Sequence, residues 1–208
     1  MSLESPLVTR CLLLTVSFLC GSLPFSVWIG QLALRKDIRQ YGDQNPGATN
    51  VFRAGGKGWG VAAFLLDTFK ATLPVGFAYY ILGIDGWWMV AIAVAPVLGH
   101  AFSPFLRLRG GKAVAAAFGM WMGLTIGEVP TVSGLLLLYW FKVIDNSGWA
   151  VLFTLGSLLG YLLLAHPTPL FLAVWAGSGA IVLWKHRAEL KSAPQIREDA
   201  WVRRLFRK

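Results

Sequence analysis

Four stretches of this chain carry residue types suited to holding or transferring a phosphorylated group. The first, Arg35 to Gly58, reads RKDIRQYGDQNPGATNVFRAGGKG. Glycines at 42, 47, 55, 56 and 58 permit close backbone approach, so successive N–H groups can converge on an anion. Thr49 and Asn50 add side-chain donors, and Arg53 adds a planar fork that matches phosphate oxygens. Taken alone, the same stretch also reads as a flexible glycine loop resting on lipid headgroups. The second is Arg107-Leu108-Arg109-Gly110-Gly111-Lys112, just before an apolar run. Two glycines leading into a helix start aim free N–H groups and the positive end of the helix dipole at the place Lys112 can reach, which favours an anion. Leu106, not Gly, stands five residues before Gly111, so this is not a nucleoside-triphosphate loop.

The third set lies within apolar segments: Asp67 and Lys70, three residues apart on one helix face, and His100. Ionisable groups inside a bilayer are costly and are retained for pairing or function. Asp67 and Lys70 read either as a surface i, i+3 pair that eases both groups at the bilayer edge or as part of a binding cavity. His100 reads as a hydrogen-bonded boundary histidine or as a site residue. The fourth is Lys185-His186-Arg187, where a histidine between two cations should protonate less readily and serve as a neutral donor or acceptor.

The elements that must position these residues follow from composition. Of 208 residues, 56% are hydrophobic and 14% charged, with 10 Trp. Soluble domains carry about 25% charged residues, and disordered chains carry few apolar ones, so an all-α membrane protein is expected. A crossing needs about 20 apolar residues. The candidates are Leu12–Leu34, Trp59–Leu82, Gly86–Leu106, Ala113–Ile126, Pro130–Phe141, Trp149–Ala165 and Pro169–Trp184. The fourth and fifth are short enough to be shallow, tilted or one re-entrant hairpin, which leaves five or six as alternatives to seven. Arg10 followed by the run from Cys11 resembles a signal peptide, but a bulky Leu19 precedes Cys20 and the run continues to Leu34, so a retained span is expected. Cys11 and Cys20, about 900° apart around a helix, read as small apolar fillers.

The formal charge of +9 is sorted by loop. Arg35, Lys36, Arg39, Arg53 and Lys57, then Arg107, Arg109 and Lys112, then Lys142, then Lys185 and the rest of the tail all fall on one side. The loops at Asp85, Glu128 and His166 hold no Lys or Arg. The basic bias of cytoplasmic loops then places the N-terminus outside and the tail inside, as seven crossings require, and leaves no nucleic-acid surface. The expected division is a membrane domain over 1–184 and a basic tail over 185–208. In that tail Ile196, Ala200, Trp201 and Leu205 interleave with Arg203, Arg204, Arg207 and Lys208 as an interfacial helix or a solvated basic end.

In chain order, Gly21-Ser22-Leu23-Pro24-Phe25, GDQNPGATNVFR at 42–53, Gly99-His100-Ala101-Phe102 leading to Gly110-Gly111-Lys112, and His186-Arg187 resemble the PlsY family of acyl-phosphate:glycerol-3-phosphate acyltransferases. The resemblance implies a seven-span bacterial inner-membrane enzyme with its site facing the cytoplasm, acting as a monomer without metal or cofactor. Its substrates would be acyl phosphate and glycerol 3-phosphate, its products lysophosphatidic acid and inorganic phosphate. Asn45, Gly47, Thr49, Asn50, Arg53, Gly110, Gly111 and Ser147 would bind phosphate, Lys112 would stabilise phosphoryl charge, and His186 would bind or orient the acceptor. The donor's own phosphate would accept the hydroxyl proton. An acyl phosphate is an activated anhydride, so positioning and charge stabilisation can supply the acceleration.

Three positions depart from the family pattern. Asp43 stands where a Ser is usual, with Gln44 for the following Gly. His186-Arg187-Ala188-Glu189 replaces His-Arg-x-Asn and lacks the later Gly-x-Glu. Lys142 to Ser147 replaces a Ser-bearing stretch, which leaves Asp145 and Ser147 as rival substitutes. An ionised carboxylate cannot donate and repels phosphate, so the acceptor side is expected to be the more altered. The alternatives are a paralog with a different acceptor, or a non-enzymatic transporter or flippase of a phosphorylated lipid. The latter would use broken spans at Pro24, Pro74 and Pro96, but the halves show no convincing repeat.

Overall fold

A computed structural model describes residues 6–198 of the chain. Among the described residues the regular structure is helical: α1 Pro6–Ser22, α2 Phe25–Leu32, α3 Ala48–Arg53, α4 Lys57–Gly76, α5 Gly86–Ala101, α6 Val114–Thr125, α7 Glu128–Val143, α8 Ser147–Ala165 and α9 Pro169–His186. Every apolar run read from the sequence is helical, with its ends moved by a few residues. The first begins earlier, at Pro6, and is broken into α1 and α2 at Leu23–Pro24, because proline cannot supply an N–H to continue the first helix. The helical stretches Pro6–Leu32, Lys57–Ile81, Gly86–Leu106 and Ser147–Ala165 are long and apolar enough to cross a membrane, and α6 is shorter. Pro74 and Pro96 sit inside α4 and α5 without ending them, and α4 passes into a π-helical stretch at Phe77–Ile81.

Small residues let these helices approach closely. α4 packs on α6 where Gly119 lies against the Thr68 carbonyl, leaving no room for a Cβ, and Thr72 Oγ1 donates to Gly119 O at 3.0 Å. α1 packs on α5 where Gly99 meets the Phe18 carbonyl. Lipid offers apolar side chains nothing that a neighbouring helix does not, so contact of this kind, rather than large side chains, brings helices together. Large side chains fill the core at Met89, Ile92, Met120 and Leu162 and also face outward, as Leu73, Ile81 and Leu164 do at 68, 70 and 88% exposed. Cys11 and Cys20 are free, as their spacing requires.

The described residues past α9 fold back against the helices. Past α9, a turn at Glu189–Lys191 leads to Ile196, which pairs antiparallel with Ile144 between α7 and α8. Asp145 N–H donates to Gln195 O, and Arg197 N–H to Val143 O, each at 2.9 Å. Of the amphipathic stretch expected over 196–208, positions 199–208 lie outside the described residues.

Candidate active site

Three loops meet at one lysine. Lys112 Nζ donates to Asp43 Oδ2 at 2.5 Å and to Glu189 Oε1. It comes from the turn before α6, Asp43 from the loop before α3, and Glu189 from the turn after α9. A cavity of about 630 Å³ opens over them, lined also by Asn45, Gly110, Lys185 and Arg187.

On the α3 side, Gly42 has φ +54°, and a Cβ there would lie 2.7 Å from Asn50 Oδ1. Only glycine fits that turn, which delivers Asp43 to the start of α3. Asp43 Oδ1 accepts from Asn50 Nδ2 at 3.0 Å and from the Asn45 N–H at 3.3 Å, and Arg53 Nη1 lies 3.5 Å away. Asn50 is fully buried. Its Nδ2 also donates to Asn45 O at 2.9 Å and its Oδ1 accepts from Arg53 Nη1 at 3.0 Å, so it orients the guanidinium. Burial alone would raise the Asp43 pKa, but Lys112, by hydrogen bond and charge, together with the Asn45 N–H and the Asn50 amide, holds it below the usual carboxylate range. Gly47 caps α3 through backbone alone, and Thr49 is exposed, its hydroxyl bonded to no other described residue.

On the α6 side, the glycine pair rests on His100. Gly111 N–H donates to His100 O at 3.0 Å, and a Cβ on Gly111 would overlap His100 Nε2. Lys185 Nζ braces the loop from α9, donating to Gly110 O and Ala101 O at 2.9 Å each. Lys185 was legible only as a cation beside His186, and nothing in its spacing announced that it clamps a glycine loop.

On the α8–α9 side, Ser147 Oγ donates to Glu189 Oε2 at 3.0 Å. Asp145 turns elsewhere: it is exposed and lies 3.8 Å from Arg197. Of the two rivals, Ser147 is the residue brought to the site. Asn146, which motif reasoning missed, caps α8 through Gly148 N–H at 2.9 Å and donates to Glu189 O at 2.8 Å. Its signal was the Asn-Ser pair before an apolar run, an ordinary helix start. His186 is buried, and its Nδ1 lies 2.8 Å from Val182 O. A carbonyl only accepts, so the ring proton sits on Nδ1 and Nε2 keeps a lone pair when the ring is neutral.

Asp67, Lys70 and His100 form a separate cluster among α2, α4 and α5. Asp67 accepts from Ser26 Oγ at 2.5 Å and from Lys70 Nζ at 2.6 Å, and Lys70 also donates to Leu23 O at 2.6 Å. His100 Nδ1 is 3.9 Å from Asp67 and bonds to nothing among the described residues. The i, i+3 pair exists, but both side chains are at most 3% exposed, so it is not a surface pair at the bilayer edge. Nor does it line the cavity at Lys112. The Leu23 carbonyl, released where Pro24 breaks the first span, is what Lys70 caps.

The sequence matches the family described as Glycerol-3-phosphate acyltransferase over residues 11–194. A Glycerol-3-phosphate acyltransferase of Desulfovibrio desulfuricans is 36% identical over 201 residues, covering 91% of this chain and 84% of that protein. One from Enterococcus faecalis is 47% identical over 109 residues, about half of each chain. The crystal structure of PlsY, an integral membrane glycerol 3-phosphate acyltransferase, in its glycerol 3-phosphate form superposes with a TM-score of 0.80 at 32% identity, covering 88% of this chain and 90% of that one. Its lysophosphatidic acid form gives 0.77 at 30%. With matched residues spanning every loop that converges on Lys112, this chain belongs to the PlsY family of integral membrane glycerol-3-phosphate acyltransferases.

Proposed function

We propose that this protein transfers an acyl group from acyl phosphate to the 1-hydroxyl of glycerol 3-phosphate, releasing lysophosphatidic acid and inorganic phosphate. The observation that carries the reading is the meeting of anion donors from three loops, Arg53, Lys112 and Ser147, each now turned toward a protein carboxylate. In the free protein Asp43 and Glu189 stand where substrate oxygens would be held. An entering phosphate, with more charge and more acceptor oxygens, takes these donors over.

Each part has its chemistry. Lys112, on the glycine loop seated on His100, takes the phosphoryl group of the donor and stabilises the charge that grows on the bridging oxygen as its bond to the acyl carbon breaks. Asn50 and Arg53 hold the phosphate of the acceptor. His186 Nε2 accepts from the attacking hydroxyl and orients it, takes its proton as the ester bond forms, and passes that proton to the departing phosphate. The first carbons of the acyl chain lie against the apolar lining of Val114, Trp121, Leu158 and Val182 among α6, α7, α8 and α9, with Val114 two residues after Lys112 and Val182 four before His186. The PlsY forms named for glycerol 3-phosphate and lysophosphatidic acid support this choice of acceptor and product.

We place the protein in a bacterial inner membrane with seven crossings, the N-terminus outside and the site facing the cytoplasm. Purified protein incubated with a long-chain acyl phosphate should release inorganic phosphate when glycerol 3-phosphate is added. Lys112→Ala and Arg53→Ala should each abolish that release while the protein remains folded in detergent. Full activity in both variants would remove the site assignment, and no release by the unaltered protein would remove the reaction.

A further inference from the structure

Beside the cavity over Lys112 lies a second one, of about 600 Å³, lined by Arg39, Gln44, Pro46, Phe105, Arg107 and Arg109 among others. Gln44, Pro46 and Arg109 form the wall between the two. Their charges differ: the first cavity has Asp43 and Glu189 in its lining, whereas the second has three arginines and no carboxylate. Arg39 is held by Asp37, Nε to Oδ1 at 2.9 Å and Nη2 to Oδ2 at 2.8 Å, so one of the three charges is offset from outside the cavity. Arg107 and Arg109 are exposed and engage no acid among the described residues.

The backbone is strained where the two cavities divide. Arg107 and Leu108 are consecutive left-handed residues, with φ 52° and 62°, and Gln44 has φ 61°. Left-handed geometry at side chains other than glycine, asparagine or aspartate is uncommon and gathers at binding sites. Here it separates neighbours: Arg107 lines the second cavity, and Leu108 the first. Hydrogen bonds from the turn before it hold the strain, Leu108 N–H to Ser103 O at 2.8 Å and Arg107 N–H to Pro104 O at 3.1 Å. Phe105, 55% exposed, contributes apolar surface at the mouth, next to the end of α5.

We infer that this cavity is a second phosphate site, distinct from the one at Lys112, that holds the phosphomonoester of an amphiphile at the membrane surface. A guanidinium fork pairs with two phosphate oxygens at once, and apolar surface beside it suits the first carbons of an attached chain. The shared chemistry is the phosphomonoester, whether it arrives on a lipid or as the free ion. The inference stands apart from the acyl-transfer reading, because it concerns binding where no reaction occurs.

The test is equilibrium titration of the full chain in detergent with dihexanoyl phosphatidic acid, which is short enough to stay dispersed. A double variant, Lys112→Ala with Arg53→Ala, which removes both cations of the reactive site, should still bind one equivalent. Adding Arg107→Ala to that background should weaken the binding at least tenfold, while Arg107→Lys should recover part of it. Inorganic phosphate should compete. Much weaker binding of phosphate than of phosphatidic acid would identify a lipid source, and similar binding of both a soluble one. Arg107→Ala alone should leave kcat at saturating acyl phosphate unchanged. Loss of all binding in the double variant, no effect of Arg107→Ala on that background, or failure of phosphate to compete would each overturn the second site.

Discussion

Two ionic clusters of nearly the same make-up lie in this protein, and they behave as opposites. One is Ser26, Asp67, Lys70 and His100 among α2, α4 and α5; the other is Asp43, Lys112, Glu189 and Ser147 among the loops. Each has one lysine held by carboxylate. In the first, Asp67 and Lys70 are 2 and 3% exposed and every bond is to a helix or a broken helix end. In the second, Lys112 and Asp43 are 18 and 37% exposed and face a cavity. A dry pair cannot exchange partners without stranding a charge, so it fixes geometry. A wet pair can exchange its carboxylate for phosphate, so it can serve as a site.

The largest expected effect breaks the dry cluster. Lys70→Ala strips the buried Asp67 of its cation among the helices, a loss of about 3 to 5 kcal/mol. For a chain of this size each kcal/mol moves Tm by about 2 to 4 °C, so unfolding in detergent should fall by on the order of 10 °C. Asp43→Ser in the wet cluster should cost no more than about 1 kcal/mol, as exposed pairs do. Equal losses in the two variants would erase the distinction between the clusters.

A smaller effect tests the link between them. His100 belongs to the dry cluster, yet its ring lies under Gly111, whose Cβ it would overlap. Gly111→Ala should therefore cost about 1 to 3 kcal/mol of overpacking and displace the loop that carries Lys112. A displacement of about 1 Å at a reacting group costs roughly 100-fold in rate. Phosphate release from acyl phosphate measures it, and undiminished release would show that the loop does not depend on its seat.

These contrasts were unevenly legible in the sequence. The glycines, Asn50, Arg53, Lys112 and His186 were readable because each is a backbone or charge requirement carried by its own residue type. The break at Pro24 was readable as a proline within a span, but its consequence, a free Leu23 carbonyl capped by Lys70 from 47 residues away, needs the packing of α2 against α4. Asp67 and Lys70 could be paired by spacing, whereas their burial could not, because spacing along one helix does not say which face meets another. The roles of Lys185 and Asn146 were hidden for the same reason: each bonds to backbone carbonyls distant in sequence. Asp43 and Glu189 were visible as acids in place of neutral groups. That both grip the same lysine emerges only when the loops are brought together.

A subtler change sharpens the wet cluster. Glu189→Gln removes one negative charge beside Lys112 while keeping an oxygen that accepts from Lys112 and supplying an amide N–H that can donate to the Ser147 hydroxyl. With less repulsion toward phosphate, KM for glycerol 3-phosphate should fall by about fivefold, equivalent to roughly 1 kcal/mol at an exposed site. Steady-state kinetics decides it, and a raised KM would mean that Glu189 positions the acceptor more than it repels it.

The smallest effect concerns pH. The Asp43 pKa is depressed in the folded protein, chiefly because Lys112 outweighs the opposing cost of burial. A depressed carboxylate contributes stability above its unfolded value, about 3.9, and loses it as pH falls through the folded one. The small Tm difference between the unaltered protein and Asp43→Asn should therefore stay constant from pH 8 to about 5 and vanish only below about 4. Thermal unfolding across that range checks it, and a difference already gone at pH 6 would count against the pairing. If it persists, the Asp43–Lys112 contact is intact from pH 8 down to about 5. The lysine is then freed by an arriving phosphate rather than by protons, which is the behaviour the wet cluster requires and the dry one forbids.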